Sequence, residues 1–115
     1  MSLEVAIEKL DGKTAAVTIS GPLALGTKLK VLDSQLQQLV CDGFNRVVLD
    51  LTDCAYVDSS GLGVVVYTWG LLQNSNGVLR ICGVNDRVSA LLKLTKTDAF
   101  LPCDPDRSTS LAALG

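Results

Sequence analysis

Acidic and hydroxyl side chains are concentrated in residues 50–63, just before and inside a helical pattern. Two serines, Ser59 and Ser60, follow Asp58 directly, and glycines stand at positions 61 and 63. Residues of these types could supply a nucleophile with its base, a glycine-rich nucleotide site, or the cap of a helix. In the structural interpretation, Asp58 or one of the serines accepts the free N–H groups of the first turn, for about 1 kcal/mol.

Enzymatic interpretations of this stretch lack necessary residues. The chain has no histidine, so the usual general base is missing, and the order Ser-Ser-Gly-Leu-Gly differs from the G-x-S-x-G elbow of serine hydrolases. A nucleotide site would need the P-loop lysine or the full dinucleotide-binding pattern. An aspartyl phosphate receiver needs acids after its first strand and a lysine near its last. We therefore predict no catalytic site and no cofactor.

The composition favours a folded chain of one domain. Of 115 residues, 48% are hydrophobic and 19% are charged, which is far from the composition of disordered proteins. Ten basic against twelve acidic residues give a net charge of −2 without a basic run, which argues against nucleic-acid binding. The longest nearly apolar run, residues 62–72, is too short to span a membrane, and the first residues do not form a signal peptide. We expect a cytoplasmic protein that does not bind membranes.

The cysteines and aromatic residues have structural interpretations. No two of the four cysteines, at positions 41, 54, 82 and 103, form a C-x-x-C pair. Because the chain also has no histidine, Cys41, Cys54, Cys82 and Cys103 suggest no metal site. The first three are predicted to be reduced and buried. Among the aromatic residues, Trp69 shares a helical face with leucines and is predicted to pack in the core, Tyr67 lies off that face, and Tyr56 lies in the loop before Ser59.

The hydrophobic pattern predicts an α/β fold in the order β-β-α-β-α-β-α-(β)-α. Asp11-Gly12 predicts a hairpin turn and Gly43 a helix end, whereas the apolar run 46–51 is typical of a buried parallel strand. Strands are expected at about residues 3–8, 15–19, 46–51, 78–82 and 99–101, and helices at about 27–42, 60–74, 85–94 and 106–114. We predict a mixed, mostly parallel sheet of four to five strands with about four helices, and function at the carboxyl ends of its strands.

Residues 58–63, Asp-Ser-Ser-Gly-Leu-Gly, resemble the phospho-switch segment of bacterial anti-sigma-factor antagonists, which are STAS domains. The resemblance extends over nearly the whole chain, including the opening hairpin, the Gly21-x-Leu23 turn and the segment from Arg87 to Leu92. It implies a single STAS domain over residues 1–115. The partner-binding switch loop that it implies consists of Asp50, Asp53, Tyr56, Asp58, Ser59, Gly61, Leu62 and Gly63.

The resemblance also implies a mechanism and partners. Ser60, or less favourably Ser59, would be phosphorylated by an anti-sigma factor that is itself a serine kinase. The unphosphorylated chain would bind that kinase and release a sigma factor, and a phosphatase acting on phospho-Ser60 would restore binding. Apart from the resemblance, the uncovered opening strand could pair with a second copy, so we expect a monomer or weak dimer.

One position departs from the family pattern. Many members carry an acidic residue after the Gly-x-Leu turn, where this chain has Ala24. The departure favours an alternative in which the chain is a non-switching STAS subunit or scaffold, in a lipid-transport or stress-signalling assembly. The intact Asp58-Ser59-Ser60 sequence favours the switch.

Overall fold

The computed structural model describes residues 2–114 as a five-stranded sheet with helices on both faces. The order of the strands in the sheet follows the chain. The first two strands form an antiparallel hairpin and all later neighbours pair in parallel, which confirms the predicted α/β class and mixed sheet. The strands are β1 (Glu4–Lys9), β2 (Thr14–Ser20), β3 (Arg46–Asp53), β4 (Val78–Cys82) and β5 (Cys103–Asp104).

Three helices form the main core on one face of the sheet. They are α1 (Thr27–Cys41), α2 (Ser59–Asn74) and α3 (Asp86–Leu94). Every second residue of β3 points to this face, so Leu49 packs in one cluster with Leu36 of α1 and Leu72 of α2. Trp69 is half-buried against this cluster, and its ring centroid lies 4.5 Å from that of Phe100.

The fourth helix, α4 (Arg107–Ala113), lies on the opposite face and is held by polar contacts. Arg80 of β4 donates to both carboxylate oxygens of Asp104, at 2.7 and 3.0 Å, and Ser110 donates to the same carboxylate at 2.6 Å. Arg107 forms an ion pair with Glu8 of β1 at 3.0 Å. These contacts join α4 to the strands at both edges of the sheet, β1 and β5.

Polar side chains and glycine shape two of the connections. In the hairpin, the carboxylate of Asp11 accepts the N–H groups of Lys13 and Thr14, so an aspartate side chain closes the predicted turn in place of a left-handed glycine. At the end of α1, Gly43 has a φ of 93°, which confirms the predicted glycine cap.

Two predictions from the apolar pattern are wrong. Residues 99–101 do not form the last strand: Thr97–Ala99 is a short 3-10 helix, Leu101 is buried, and β5 begins only after Pro102. Cys41 is exposed, because it lies outside the three- and four-residue spacing of the leucines that α1 buries. No helix within residues 2–114 has the length and apolar character needed to cross a bilayer.

The end of β3 contains an irregularity next to the predicted site. Thr18 of β2 pairs with Asp50, but Ser20 pairs with Asp53, so β3 has one additional residue at this point. The carboxylate of Asp50 accepts both the N–H and the hydroxyl of Thr52 within this bulge. Such bulges bend a strand locally, and here the bend leads the chain into residues 54–58, which we call the β3–α2 loop.

Candidate functional site

The two serines form the first residues of α2. Asp58 is the N-cap: its backbone is extended, and its Oδ1 atom accepts the N–H of Gly61 at 2.8 Å. Ser59 is exposed and Ser60 is half-buried. Within residues 2–114 no hydrogen bond engages either serine hydroxyl. Both hydroxyls are therefore uncommitted at the molecular surface.

Asp58 also binds a second part of the chain. Its Oδ2 atom accepts the N–H of Leu25 at 3.0 Å, from residues 21–26, which we call the β2–α1 loop. The hydrogen bonds from the N–H groups of Leu25 and Gly61 favour the ionised carboxylate and lower the pKa of Asp58 below its ordinary value of 3.8. The carboxylate is therefore charged at neutral pH beside the serine pair.

Backbone hydrogen bonds join the β2–α1 loop to the β3–α2 loop. Gly21 donates its N–H to the carbonyl of Asp53, the last residue of β3, at 3.1 Å, and Leu23 donates to the carbonyl of Tyr56 in the loop at 2.9 Å. Asp58 donates in return to the carbonyl of Leu23 at 3.2 Å. The two loops form one continuous surface around the start of α2, because each is fixed to the other at several points.

The two glycines of the motif have different surroundings. A Cβ atom at position 61 would lie 2.0 Å from the carbonyl oxygen of Leu23, so the β2–α1 loop can approach α2 only because this residue is glycine. A Cβ atom at Gly63 would have no neighbour within 4 Å, and Gly63 is exposed. Gly61 is thus required for packing, whereas Gly63 leaves open surface.

Helix α3 borders the site on the other side of the β3–α2 loop. Asn85 caps α3 by accepting the N–H of Val88 at 2.8 Å, and its amide donates to the carbonyl of Ala55 at 3.2 Å. The guanidinium of Arg87 lies 5.2 Å from the ring centroid of Tyr56, whose side chain is 41% exposed. A groove of about 500 Å³ separates α3 from the loop; Ser59, Leu91 and Leu94 are among its lining residues.

These contacts of α3 were missed by the sequence analysis. The signal was present in the topology, because the residues after β4 lie at the same edge of a parallel sheet as those after β3. The type of residue 85 was a second signal, because an asparagine that caps a helix with its side-chain oxygen still has an NH2 group able to donate elsewhere.

Two predicted loop residues lie elsewhere. Leu62 is 8% exposed and belongs to the core, so it supports the first turn of α2 from below and cannot line a partner surface. Asp50 points to the sheet face opposite α2, because its neighbours Leu49 and Leu51 face the main core. There Asp50 lies beside Cys82, whose pKa is raised to about 11 by burial first and then by the charge of Asp50.

The other predicted residues lie near the serine pair. Asp53 is exposed at the end of β3, and Tyr56, Asp58 and Gly63 surround the start of α2. Within residues 2–114, cysteine and carboxylate side chains form no group of three or more suited to a metal ion. The arrangement offers two free hydroxyls beside a carboxylate, on a surface built from two loops and the first turns of α2 and α3.

Comparison with known proteins identifies the family. The family model of the STAS domain matches residues 5–110. The chain belongs to the STAS domain family. This STAS domain is 29% identical over 117 residues to the anti-sigma F factor antagonist of Paenibacillus polymyxa, covering 99% of this chain and 97% of that protein. It is 33% identical over 79 residues to the anti-sigma-B factor antagonist of Staphylococcus aureus, covering 69% and 72%.

Solved structures share the fold of this STAS domain at low sequence identity. An anti-sigma factor antagonist from Mycobacterium paratuberculosis superposes with a TM-score of 0.86 at 23% identity, covering 98% of this chain and 94% of that one. The Bacillus cell fate determinant SpoIIAA in its phosphorylated form superposes with a TM-score of 0.78 at 10% identity, covering 97% and 100%. At these identities the likeness concerns the fold.

Proposed function

We propose that this STAS domain is an anti-sigma-factor antagonist controlled by phosphorylation of Ser60. The unphosphorylated chain binds an anti-sigma factor that is a serine kinase, and the sigma factor is released. A phosphate on Ser60 ends the complex, and a phosphatase restores it. The observation that carries this proposal is the pair of uncommitted serine hydroxyls at the capped start of α2, in a chain whose relatives are named anti-sigma factor antagonists.

The electrostatics of the site support a local switch. A phosphate adds about −1.5 to −2 charges, and the N-terminus of α2 tolerates an anion, so the fold itself need not change. The phosphate would stand beside the ionised Asp58, with Asp53 exposed at the end of β3. A partner surface shaped for a neutral hydroxyl would then face unpaired charge, and each ~1.4 kcal/mol of mismatch reduces affinity tenfold.

Substitutions of each serine test whether Ser60 or Ser59 is the residue that is phosphorylated. Purified complexes of the wild-type chain, Ser59→Ala, Ser60→Ala and Ser60→Asp would be compared by mass spectrometry of the proteins that co-purify. We expect an anti-sigma factor with all except Ser60→Asp, and circular dichroism spectra that are the same for all four. Phosphate should appear on the wild-type chain and on Ser59→Ala, but not on Ser60→Ala.

Two results would contradict the proposal. One is a phospho-Ser60 form that binds the anti-sigma factor as tightly as the unmodified chain does. The other is phosphate incorporated at Ser59 alone, which would move the switch by one residue. Loss of binding by Ser60→Ala would instead indicate that the hydroxyl itself is a contact, since alanine removes only the oxygen.

A second candidate function has one observation in its favour. The β2–α1 loop carries Ala24 and an exposed Leu25 and no acidic side chain, which fits a static apolar contact in a larger assembly. A non-switching STAS subunit would take up no phosphate. The intact mass of the chain, measured after incubation with ATP and lysate of the source cell, separates the two functions: an added phosphate on Ser60 supports the switch, and an unchanged mass supports the static subunit.

A further inference from the structure

The carboxylate of Asp58 does more than cap a helix. Capping α2 needs one acceptor, and Oδ1 supplies it to the N–H of Gly61. Oδ2 accepts instead from Leu25, 33 positions earlier in the chain. Asp106, the N-cap of α4, shows the difference, because both hydrogen bonds that its carboxylate accepts within residues 2–114 come from Thr109 of its own helix. The second bond of Asp58 has no role in capping and joins two separate loops.

The residue held by this bond is exposed and apolar. The side chain of Leu25 is 74% exposed. A single exposed leucine is ordinary, but this one sits on a backbone fixed to the start of α2 by a bond to a charged acceptor. The neighbouring Leu23 is fixed in turn by its own backbone bonds to Tyr56 and Asp58. A leucine presented on a rigid backbone loses little conformational freedom when a partner covers it.

We propose that Asp58 is a positioning residue that holds Leu25 beside the serine pair, so that the partner binds both as one surface and covers Leu25 with an apolar pocket. This inference rests on the proposed function, since the partner is the anti-sigma factor. Leu25 makes the contact with the partner, and Asp58 holds the backbone of Leu25 in the position needed for that contact.

The hydrogen bond from the Leu25 N–H to Asp58 is tested by amide hydrogen exchange in the variant Asp58→Asn. Asparagine caps a helix as well as aspartate does, so the Gly61 amide should stay protected. Its single oxygen cannot serve both loops, and its NH2 group cannot accept from Leu25. We expect the Leu25 amide to exchange about tenfold faster or more in this variant. The matched control, Asp106→Asn, should leave the exchange of Leu25 unchanged. Unchanged Leu25 protection in Asp58→Asn would overturn the proposal.

The presentation of Leu25 is tested by affinity for the anti-sigma factor that co-purifies with the wild-type chain. We expect Leu25→Ala to weaken binding about tenfold, as for a buried apolar contact. Leu10→Ala is the control, because Leu10 is 44% exposed in the hairpin turn at the other end of the sheet. Asp58→Asn should also weaken binding, and the double variant should bind little worse than Leu25→Ala alone, because Asp58 acts through Leu25.

The outcomes separate this inference from the proposed function. If Ser60→Asp abolishes binding while Leu25→Ala and Asp58→Asn bind as the wild type does, the switch stands and the inference is overturned. Fully additive losses in the double variant would also overturn it, because the two residues would then act independently. If the wild-type chain binds no anti-sigma factor, the proposed function and the presentation of Leu25 both fail, and hydrogen exchange still decides whether Asp58 holds the loop.

Discussion

Gly61 and Gly63 are two residues apart on α2, but the first is closely packed and the second has open space beside it. Gly61 is buried under the carbonyl of Leu23, where a Cβ atom would lie 2.0 Å from the oxygen. Gly63 is exposed and has free space where a Cβ atom would stand. The first glycine therefore serves the fold, and the second keeps the surface beside the serine pair flat.

Substitution of each glycine by alanine should have opposite effects on the stability of the fold. We expect Gly61→Ala to lower the free energy of unfolding by about 1–3 kcal/mol, because the backbone of Leu23 must move. Gly63→Ala should leave the free energy of unfolding unchanged or raise it by up to about 1 kcal/mol, since alanine is the better helix former. Urea unfolding measures both. Equal destabilisation by the two substitutions would contradict this assignment.

At the scale of single residues, the sequence identified the stretch but not the direction of its side chains. Residues 58–60 were predicted at the start of a helix, and the structure confirms Asp58 as its cap. Leu62 and Asp50 were assigned with them to one partner-binding loop. Leu62 turns into the core and Asp50 turns to the opposite sheet face. Neighbours in sequence share a loop, but the strand alternation and the helix period decide which of them share a surface.

At the scale of elements, α3 and the β3–α2 loop are coupled through Asn85. Its oxygen caps α3 at Val88, and its NH2 group donates to the carbonyl of Ala55. The ring of Tyr56 and the guanidinium of Arg87 add a second contact between the same two elements. The loop before the serines is thereby supported from both sides, by the β2–α1 loop and by α3.

Two substitutions at Asn85 should divide its two roles. Asn85→Asp keeps the capping oxygen and loses the donor to Ala55, so the loop should loosen while α3 stays capped. Asn85→Ala loses both and should cost about 1 kcal/mol of stability or more. We expect faster amide exchange at residues 54–56 in both variants, and at Val88 in Asn85→Ala only. Exchange at Val88 that rises equally in both would show that aspartate does not replace the cap.

Most helices and strands could be predicted because their apolar residues are regularly spaced, but the last strand, β5, could not. Ala99, Phe100 and Leu101 have the composition of a short strand, but the pairing partner of β4 comes after Pro102. The carbonyl of Pro102 accepts the N–H of Ile81, and pairing continues into Cys103 and Asp104, which are not a strongly apolar pair. A two-residue edge strand is defined by backbone bonds to its neighbour, and side-chain composition carries no signal for it.

At the scale of the molecule, the two faces of the sheet are stabilised differently. The face under α1, α2 and α3 carries the large apolar core. On the other face, α4 makes charged contacts: Ser110 donates to Asp104, which also accepts from Arg80, and Arg107 forms an ion pair with Glu8. Attachment of the last helix should therefore respond to pH in a way that the main core does not.

The pH dependence can be assigned to Asp104. The hydrogen bond from Arg80 holds the pKa of Asp104 below its ordinary value of 3.8, with Ser110 assisting. The stabilisation is fully present above pH 3.8 and is lost as the pH falls through the lowered pKa of the folded state. We expect Asp104→Asn to be less stable than the wild type at pH 7, with the difference unchanged down to about pH 4 and shrinking as the pH falls below 3.8.

Urea unfolding at a series of pH values measures this difference. Asp53→Asn is the control, because Asp53 is exposed and its carboxylate makes no hydrogen bond within residues 2–114, so this substitution should change the free energy of unfolding little. A stability gap between Asp104→Asn and the wild type that is the same at pH 7 and at pH 3 would contradict the assignment.

The hydrogen bonds between the two loops at the serine pair are made mainly by the main chain, at Gly21, Leu23 and Asp58. Main-chain bonds of this kind persist when exposed side chains such as Leu25 or Tyr56 are replaced. Under the proposed function, related regulators in one cell can differ in a few exposed side chains and so bind different partners without cross-reaction. The backbone that presents the serine stays the same in all of them.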